Sequence, residues 1–449
     1  MNRWLITNPI IESSKKLLVT LIVFRPGRFA IDSWRTVRHA PNQEITMIKK
    51  HWASSFCAVL TLSVSMASLA DVKVGALYPF SGALALLGDE SFRGLEIAVA
   101  ERNAAGGLKG EKIELLKADA VDAGQAVGAA RKLTSVQNVT AVFGSYSSAL
   151  SFAATQVTEM AGVPFFELGA VSDEITERDL KFVMRSNPTA KNFAEGTITA
   201  ITKIVGPSLK LDPKQLKVAI IHEDALYGTT IAGFQKKLAQ EQGLNVVEVL
   251  PYSAKAVDLS SLILRLKGAQ ADVVLQTSYQ NDTTLFFRQI REAGFKPKAL
   301  IGAGGGYSMQ DTLKVVGAQN MEGVLDVDFP QFQTNEAGAP GISDFAKAYK
   351  QRYGTEPRSG HSLINYVGAK IFLDAMDNAS SLEADALREA VARVDIPSGQ
   401  TAAGIGAKFA ANGQNERAHT SVMQWQDGVL KTIYPESAAV TQARFTDHP

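Results

Sequence analysis

The chain has 449 residues, 46% hydrophobic and 20% charged, with 46 Lys and Arg against 45 Asp and Glu. That balance describes a globular protein of roughly two or three domains and excludes a disordered or collagen-like chain. A single cysteine, Cys57, excludes an internal disulfide and a thiolate metal cluster.

From Met47 the sequence reads "MIKKHWASSFCAVLTLSVSMASLADVKVG". Lys49, Lys50 and His51 make a basic start, and an apolar stretch follows. Ser68 and Ala70 then set small side chains at the −3 and −1 positions of a cleavage site, so residues 47–70 read as a secretory signal peptide. Residues 1–46 precede it; they are Arg-rich, with one apolar run, "LLVTLIVF" (17–24), too short to span a bilayer. Translation from Met47, with 1–46 an overlong extension, accounts for this order; an anchor or transit-like extension is the competing reading. The "SSFC" around Cys57 is a poor lipoprotein box, because Phe56 is bulky where a small residue belongs. Cleavage after Ala70 leaves 379 residues beginning at Asp71. Removing residues 1–70, with their nine Lys/Arg and three Asp/Glu, leaves 37 basic and 42 acidic residues and a net charge of −5. That mild negative charge argues against nucleic acid as a partner. The expectation is a soluble periplasmic protein.

The mature chain opens with the strand "VKVGALYPF" (72–80). In "DESFRGLEIAVAERNAA" (89–105), Phe92, Leu95, Ile97, Ala98 and Val99 recur at helical spacing, and the glycines of "NAAGGLKG" (103–110) stop the helix. The runs "KIELLKADA", "TAVFG", "VPFFELG" and "FVMRS" then alternate with helical segments 124–136 and 148–161. A second series follows: "LKVAIIHED" (216–224), "LNVVEVLPY" (244–252), "ADVVLQTS" (271–278) and "KALIGAG" (298–304), with helices near 227–242, 258–268 and 281–294. Near-continuous apolar strands alternating with helices predict an α/β fold of parallel sheets covered on both faces. There are too many units for one sheet, so two Rossmann-like lobes are expected, with a ligand cleft at the carboxyl ends of their strands.

The catalytic motifs fail one by one. "GAGGGY" (302–307) has Tyr307 where a dinucleotide site needs its last glycine, and no Walker pattern occurs. "GSYSSA" (144–149) ends in Ala149 and is not a nucleophile elbow. His222, His361 and His419 stand in unrelated contexts, and the six histidines have no metal-ligand spacing. The sequence therefore supports neither an enzyme nor a cofactor nor a metal site.

"GSYSSA" does open a helix, where exposed amides and the helix dipole suit an anion such as a carboxylate. Together with "GALYPFSGALALLGDESFRGLEIAVAERNAAGGLKGEKIELLKAD", "AVFGSYSSA…VTEMAGVPFF", "AIIHEDALYG" and "LRLKGAQADVVLQTSYQND…FFRQIREAG", it resembles the periplasmic branched-chain amino-acid-binding proteins of ABC importers, the type I solute-binding family. The resemblance covers nearly all of 71–440. It implies two lobes joined by a three-segment hinge, near 186–189, 305–308 and 393–398. Lobe 1 would comprise 71–187 plus 308–393, and lobe 2 188–307 plus 394–449. It further implies a cofactor-free monomer that delivers a hydrophobic amino acid to an inner-membrane permease.

Residue by residue, the resemblance sets Ser147 and Ser148 on the ligand's α-carboxylate. The turn "LGAVSDEIT" (168–176) brings Gly169, Ala170, Val171 and Ser172 to the pocket, with Val171 where the family commonly has threonine. Asp282 and Tyr279 match an acid and an aromatic near the ligand ammonium, Tyr227 another cleft aromatic, and Leu84 to Leu87, with Leu86 foremost, a side-chain pocket. Plain alternatives stand beside these. Ser147, Ser148, Asn281 and Asp282 suit helix caps, and Tyr227 and Tyr279 suit core positions. Tyr307 and Phe329 fall near the expected crossovers and suit either cleft or core. A buried ammonium needs an anion, which favours Asp282 as a ligand contact. The missing Val171 hydroxyl favours an aromatic acid or small amide instead. The same fold also serves sensors that report occupancy to a membrane receptor.

Overall fold

The computed structural model describes residues 71–445. The expected extension 1–46 and signal peptide 47–70 lie outside the described residues. β1 (Val72–Tyr78) is buried at every position but Lys73, as a strand covered on both faces must be. α1 (Ala85–Ala104), β2 (Ile113–Asp119), α2 (Ala123–Ser135), β3 (Ala141–Gly144), α3 (Ser148–Met160), β4 (Phe165–Glu167) and β5 (Val183–Arg185) follow. Asp122 caps α2, accepting from the Gln125 amide at 2.8 Å. The five strands form one parallel sheet in the order β2-β1-β3-β4-β5.

The chain then crosses to a second sheet. Its elements are α4 (Ala190–Thr199), α5 (Gly206–Leu209), β6 (Lys217–Glu223), α6 (Leu226–Glu241), β7 (Asn245–Tyr252), α7 (Ser260–Gly268), β8 (Val273–Thr277), α8 (Gln280–Glu292) and β9 (Ala299–Ala303). Three short helices, α9 (Gly305–Ser308), α10 (Gln310–Val316) and α11 (Ala318–Met321), lead to β10 (Leu325–Asp328). Next come α12 (Ile342–Tyr353), α13 (Gly360–Asn378) and α14 (Ala384–Ala392), and a two-stranded ladder of β11 (Asp395–Ile396) and β12 (Ala407–Lys408). The hairpin β13 (Ser421–Gln426) and β14 (Val429–Tyr434) ends the described chain and adds an antiparallel edge, giving the order β14-β13-β10-β9-β8-β6-β7.

α13 returns to the first sheet and packs on α1. Gly94 permits this approach, since a Cβ there would stand 2.0 Å from the Ser362 carbonyl oxygen. No helix among the described residues is long and apolar enough to cross a membrane.

The two sheets correct the expected boundaries. Residues 308–328 belong with the second sheet, because β10 is zipped between β9 and β13. Residues 394–418 pack on the first: the Arg185 amide donates to the Gly413 carbonyl at 2.9 Å, and Phe409 lies 5.4 Å from Phe372. The second crossover therefore follows Asp328 and the third precedes Ser421, not at 305–308 and 393–398. The physical reason is β10 itself, whose "LDVD" carries two acids and gives no apolar strand signal.

Candidate functional site

The carboxyl ends of both sheets converge on one small space of about 20 Å³, roughly the room of a single water. The first lobe supplies Leu87 at the start of α1, Tyr146 after β3, and Gly169 and Val171 after β4. The second supplies Tyr227 after β6, Tyr279 after β8, Gly304 and Gly305 after β9, and Asp328 and Phe329 at the end of β10. Phe193 of α4 and His361 of α13 complete the wall. This is where the strand ends of open α/β sheets place ligands.

A buried ionic frame fixes the 168–172 turn. Glu167 Oε1 accepts the amides of Leu168, Gly169 and Ala170 at 2.9, 2.8 and 2.7 Å. Arg185 donates to the Ala170 and Ser172 carbonyls at 3.2 and 2.6 Å. Burial pushes the Glu167 carboxyl up and pulls the Arg185 guanidinium down to about 10, while each draws the other back toward its charged form. The turn is thus held by an anion on its amides and a cation on its carbonyls.

The serine turn is built differently from a simple cap. Ser147 occupies the N-cap of α3, yet its side chain caps no amide; it sits near enough to the Tyr279 hydroxyl of the other lobe to oppose the rise that burial gives that group. Ser148 Oγ accepts the Ser172 amide at 3.2 Å, and Ser172 Oγ meets Thr230 Oγ1 of α6 at 3.1 Å, an interlobe link. Val171 lines the cavity, whereas the side chain of Ala170 is buried in the first-lobe core behind it. The Tyr227 and Tyr279 rings face each other at 5.1 Å, and Tyr146 stands edge-on to Tyr279 at 6.5 Å. The Tyr227 hydroxyl donates to the Ala303 carbonyl at 2.5 Å. Gly304, at φ +96°, is required here, because a Cβ would come within 2.1 Å of that hydroxyl.

Of the expected residues, Val171, Tyr227 and Tyr279 line the cavity; Ser147, Ser148, Ala170 and Ser172 lie behind its wall, and Asp282 and Leu86 are turned away from it. Asp282 is buried behind Tyr279, with Oδ1 accepting the Tyr279 amide at 2.9 Å and Oδ2 the Tyr252 hydroxyl at 2.7 Å. Both carboxylate oxygens are engaged at the start of α8, and burial lifts the group to about 7. Leu86 is 41% exposed; with α1 beginning at Ala85, the helical period turns Leu87 inward instead. Of the two aromatics left open, Phe329 lines the cavity, and Tyr307 enters the second-lobe core, donating to Gln276 at 2.5 Å.

Sequence reasoning missed Tyr146, Phe193, Asp328 and His361. Tyr146 lay inside the quoted serine turn, and Asp328 signals itself as an acid in an otherwise apolar strand. His361 Nδ1 stands 3.8 Å from Asp328 Oδ2 and 3.3 Å from Ser359 Oγ. Because both neighbours meet the same ring nitrogen, this is no nucleophile–base–acid relay, which uses opposite nitrogens. Burial pushes His361 down and Asp328 up, each opposed by the other. No cluster of three His, Cys, Asp or Glu suited to a metal occurs among the described residues. What remains is a small, aromatic-lined chamber between two lobes, with the turn before α3 on one side and a carboxylate on the other.

These features define a two-lobed α/β protein with a small chamber between its lobes. Residues 71–429 match the family described as Periplasmic binding protein. Leu/Ile/Val-binding protein homolog 8 of Brucella abortus is 54% identical over 392 residues, covering 87% of this chain and 97% of that protein. Among solved structures, a leucine binding protein from Thermotoga maritima superposes with a TM-score of 0.71 at 22% identity, covering 82% of this chain and 98% of the other. A branched-chain amino acid transporter substrate binding protein from Streptococcus pneumoniae, in complex with isoleucine, gives 0.70 at 20% identity, covering 83% and 99%. The chain belongs to the periplasmic binding protein family, in its branched-chain amino-acid-binding branch.

Proposed function

We propose that this protein captures a branched-chain or other hydrophobic amino acid between its lobes and presents it to an inner-membrane ABC permease. The observation that carries the reading is the chamber itself, where strand ends of both sheets meet around an apolar, aromatic wall. The Leu/Ile/Val name of the 54% identical relative supports the same ligand class. In this reading, Ser147, Ser148 and the α3 amides take the carboxylate, while Leu87, Phe193, Phe329 and Tyr227 surround the side chain. A space of about 20 Å³ admits no amino acid, so the lobes part first, about 186–189, the segment after Asp328 and the segment before Ser421. The lobes are then 71–187 with 330–418 and 190–328 with 421–445. Closure follows because the ligand touches both lobes only in the closed form. Export would use the signal at 47–70, leaving Asp71 as the mature N-terminus.

The test is a thermal-shift panel on protein unfolded and refolded to strip carried-over ligand. It holds leucine, isoleucine, valine and phenylalanine, their deaminated acids and short amides. A ligand at a thousandfold excess over its Kd adds about 4 kcal/mol of stability, a plainly visible shift. Response to a branched-chain amino acid is expected; silence across the amino acids refutes the reading.

A further inference from the structure

We infer that Asp328 is the anionic anchor of the chamber and receives the ammonium of a bound amino acid, beside His361. The inference rests on the amino-acid reading above and names the residue that would enforce it.

The acids around the cleft can be sorted by what their oxygens already do. Glu167 is occupied by three amides of its own turn. Glu223 accepts the amides of Ala225 at 2.8 Å and Gly228 at 2.5 Å. Asp282 is occupied by the Tyr279 amide and the Tyr252 hydroxyl, and it does not reach the chamber. Asp328 differs. It lines the chamber, is fully buried, and commits only Oδ1, which accepts the Phe329 amide at 2.7 Å.

Its Oδ2 accepts no hydrogen bond. The Ser308 hydroxyl lies near enough to draw the carboxyl down without closing a bond, and His361 Nδ1, at 3.8 Å, is too far. A buried carboxylate oxygen without a donor is costly, and a ligand N–H relieves that cost.

The surroundings strengthen the case. Asp326, two residues earlier on the same strand face, is also fully buried with both oxygens unpartnered, and it does not line the chamber. Burial and the neighbouring Asp328 hold the Asp326 carboxyl well above its usual range, so Asp328, the one that faces the chamber, is left to answer a cation. Tyr227, Phe329 and Leu87 line the same space and Asp328 is fully buried, so an ion pair formed there would be screened less than one at the surface. The opposite end holds the α3 N-terminus. An amino acid lying between them would set its carboxylate against the first lobe and its ammonium against the second, so that only the zwitterion bridges both.

The test is isothermal titration of leucine and of 4-methylpentanoate, its deaminated form, into refolded protein expressed from the full gene. Wild type is expected to prefer leucine. Asp328→Asn should weaken leucine roughly 30-fold or more, as for removal of one partner of a buried charge pair, while binding 4-methylpentanoate at least as tightly as wild type. That exchange of preference cannot come from misfolding. Asp328→Ser gives the same reading should the Asn variant not fold. Asp282→Asn should stay within about threefold of wild type for leucine. Wild type that binds leucine while D328N binds it within threefold overturns the anchor alone. Wild type that binds 4-methylpentanoate and no amino acid overturns both the anchor and the proposed function.

Discussion

Asp282→Asn is expected to change how stability depends on pH without touching the ligand. Burial raises the Asp282 carboxyl from 3.8 to about 7, even though Tyr252 and the Tyr279 amide favour its charged form. Unfolded, the same group ionises near pH 4. Between those values the folded protein keeps a proton that the unfolded chain has released. The contribution is therefore fully present below about pH 4, falls by about 1.4 kcal/mol per pH unit, and is gone above about pH 7. Three units set a ceiling of about 4 kcal/mol, and relaxation around a buried site brings the expected figure to about 2–4 kcal/mol. Asn fits the same contacts, with Oδ1 on the Tyr279 amide and Nδ2 donating to Tyr252. The Tyr252 hydroxyl then turns its proton to the Thr277 carbonyl, already 3.3 Å away. Urea denaturation of both proteins at pH 5, 6, 7 and 8 reads the difference. Wild type should lose stability relative to D282N across that series, and parallel profiles would refute the argument.

Glu167→Ala strands three buried amides, at about 1–3 kcal/mol each, so a loss on the order of 4 kcal/mol or more is expected in denaturant unfolding. Glu167→Gln, which keeps an acceptor oxygen, should lose less than half of that. Gly304→Ala forces a Cβ against the Tyr227 hydroxyl at a positive φ; circular dichroism should stay native while calorimetry shows ligand binding lost. Thr230→Val removes the hydroxyl that meets Ser172 and that also donates to the Leu226 carbonyl at 2.6 Å. It should weaken the closed form by about 0.5–1.5 kcal/mol, read as a Kd raised by up to about tenfold.

How far the sequence reached depended on the range of the interaction that decided each residue. β1, β3, β4, β6 and β8 were legible because strands buried on both faces are short continuous apolar runs. Val171, Tyr227 and Tyr279 were legible because each follows such a strand, where sheets of this kind place their ligands. β10 was not, since Asp326 and Asp328 break its apolar pattern and their burial depends on β9 and β13 beside them. The lobe boundary moved with that strand. Asp282 at a helix start fits a cap and a ligand contact equally, and only Tyr252, 30 residues upstream, decides between them. Leu86 and Leu87 differ by one residue of helical phase, which the first residue of α1 sets. Phe193 and His361 enter from α4 and α13, and no local pattern announces a wall assembled from elements so far apart in the chain.

The two halves of the chamber are stabilised in different ways, and this orders the proposed capture. The Glu167–Arg185 frame lies wholly in the first lobe, with Arg185 also bonded to Gln414 at 2.5 Å. The serine turn and the 168–172 turn therefore keep their shape when the lobes part. On the proposed reading, the second-lobe residues Tyr227, Tyr279 and Asp328 would reach the ligand only on closure. Polar links between the lobes include Ser172 with Thr230, the Gln310 amide on the Arg358 carbonyl at 3.0 Å, the partly exposed Arg358–Asp311 pair at 3.1 Å and, beside the crossovers, the Ala190 amide on the Val171 carbonyl at 2.6 Å and the Asn335 amide on the Ala438 carbonyl at 2.9 Å. Hydrogen bonds of this kind contribute about 0.5–1.5 kcal/mol each and a partly exposed ion pair about 0–1. Reversing a hundredfold bias between forms takes about 5.5 kcal/mol. A ligand held at both ends would add to these links in the closed form only, and that difference is what would shift the balance. If Asp328 takes the ammonium, an acid lacking it would engage the first lobe and leave Asp328 without a donor, and so would favour the closed form less than the amino acid does.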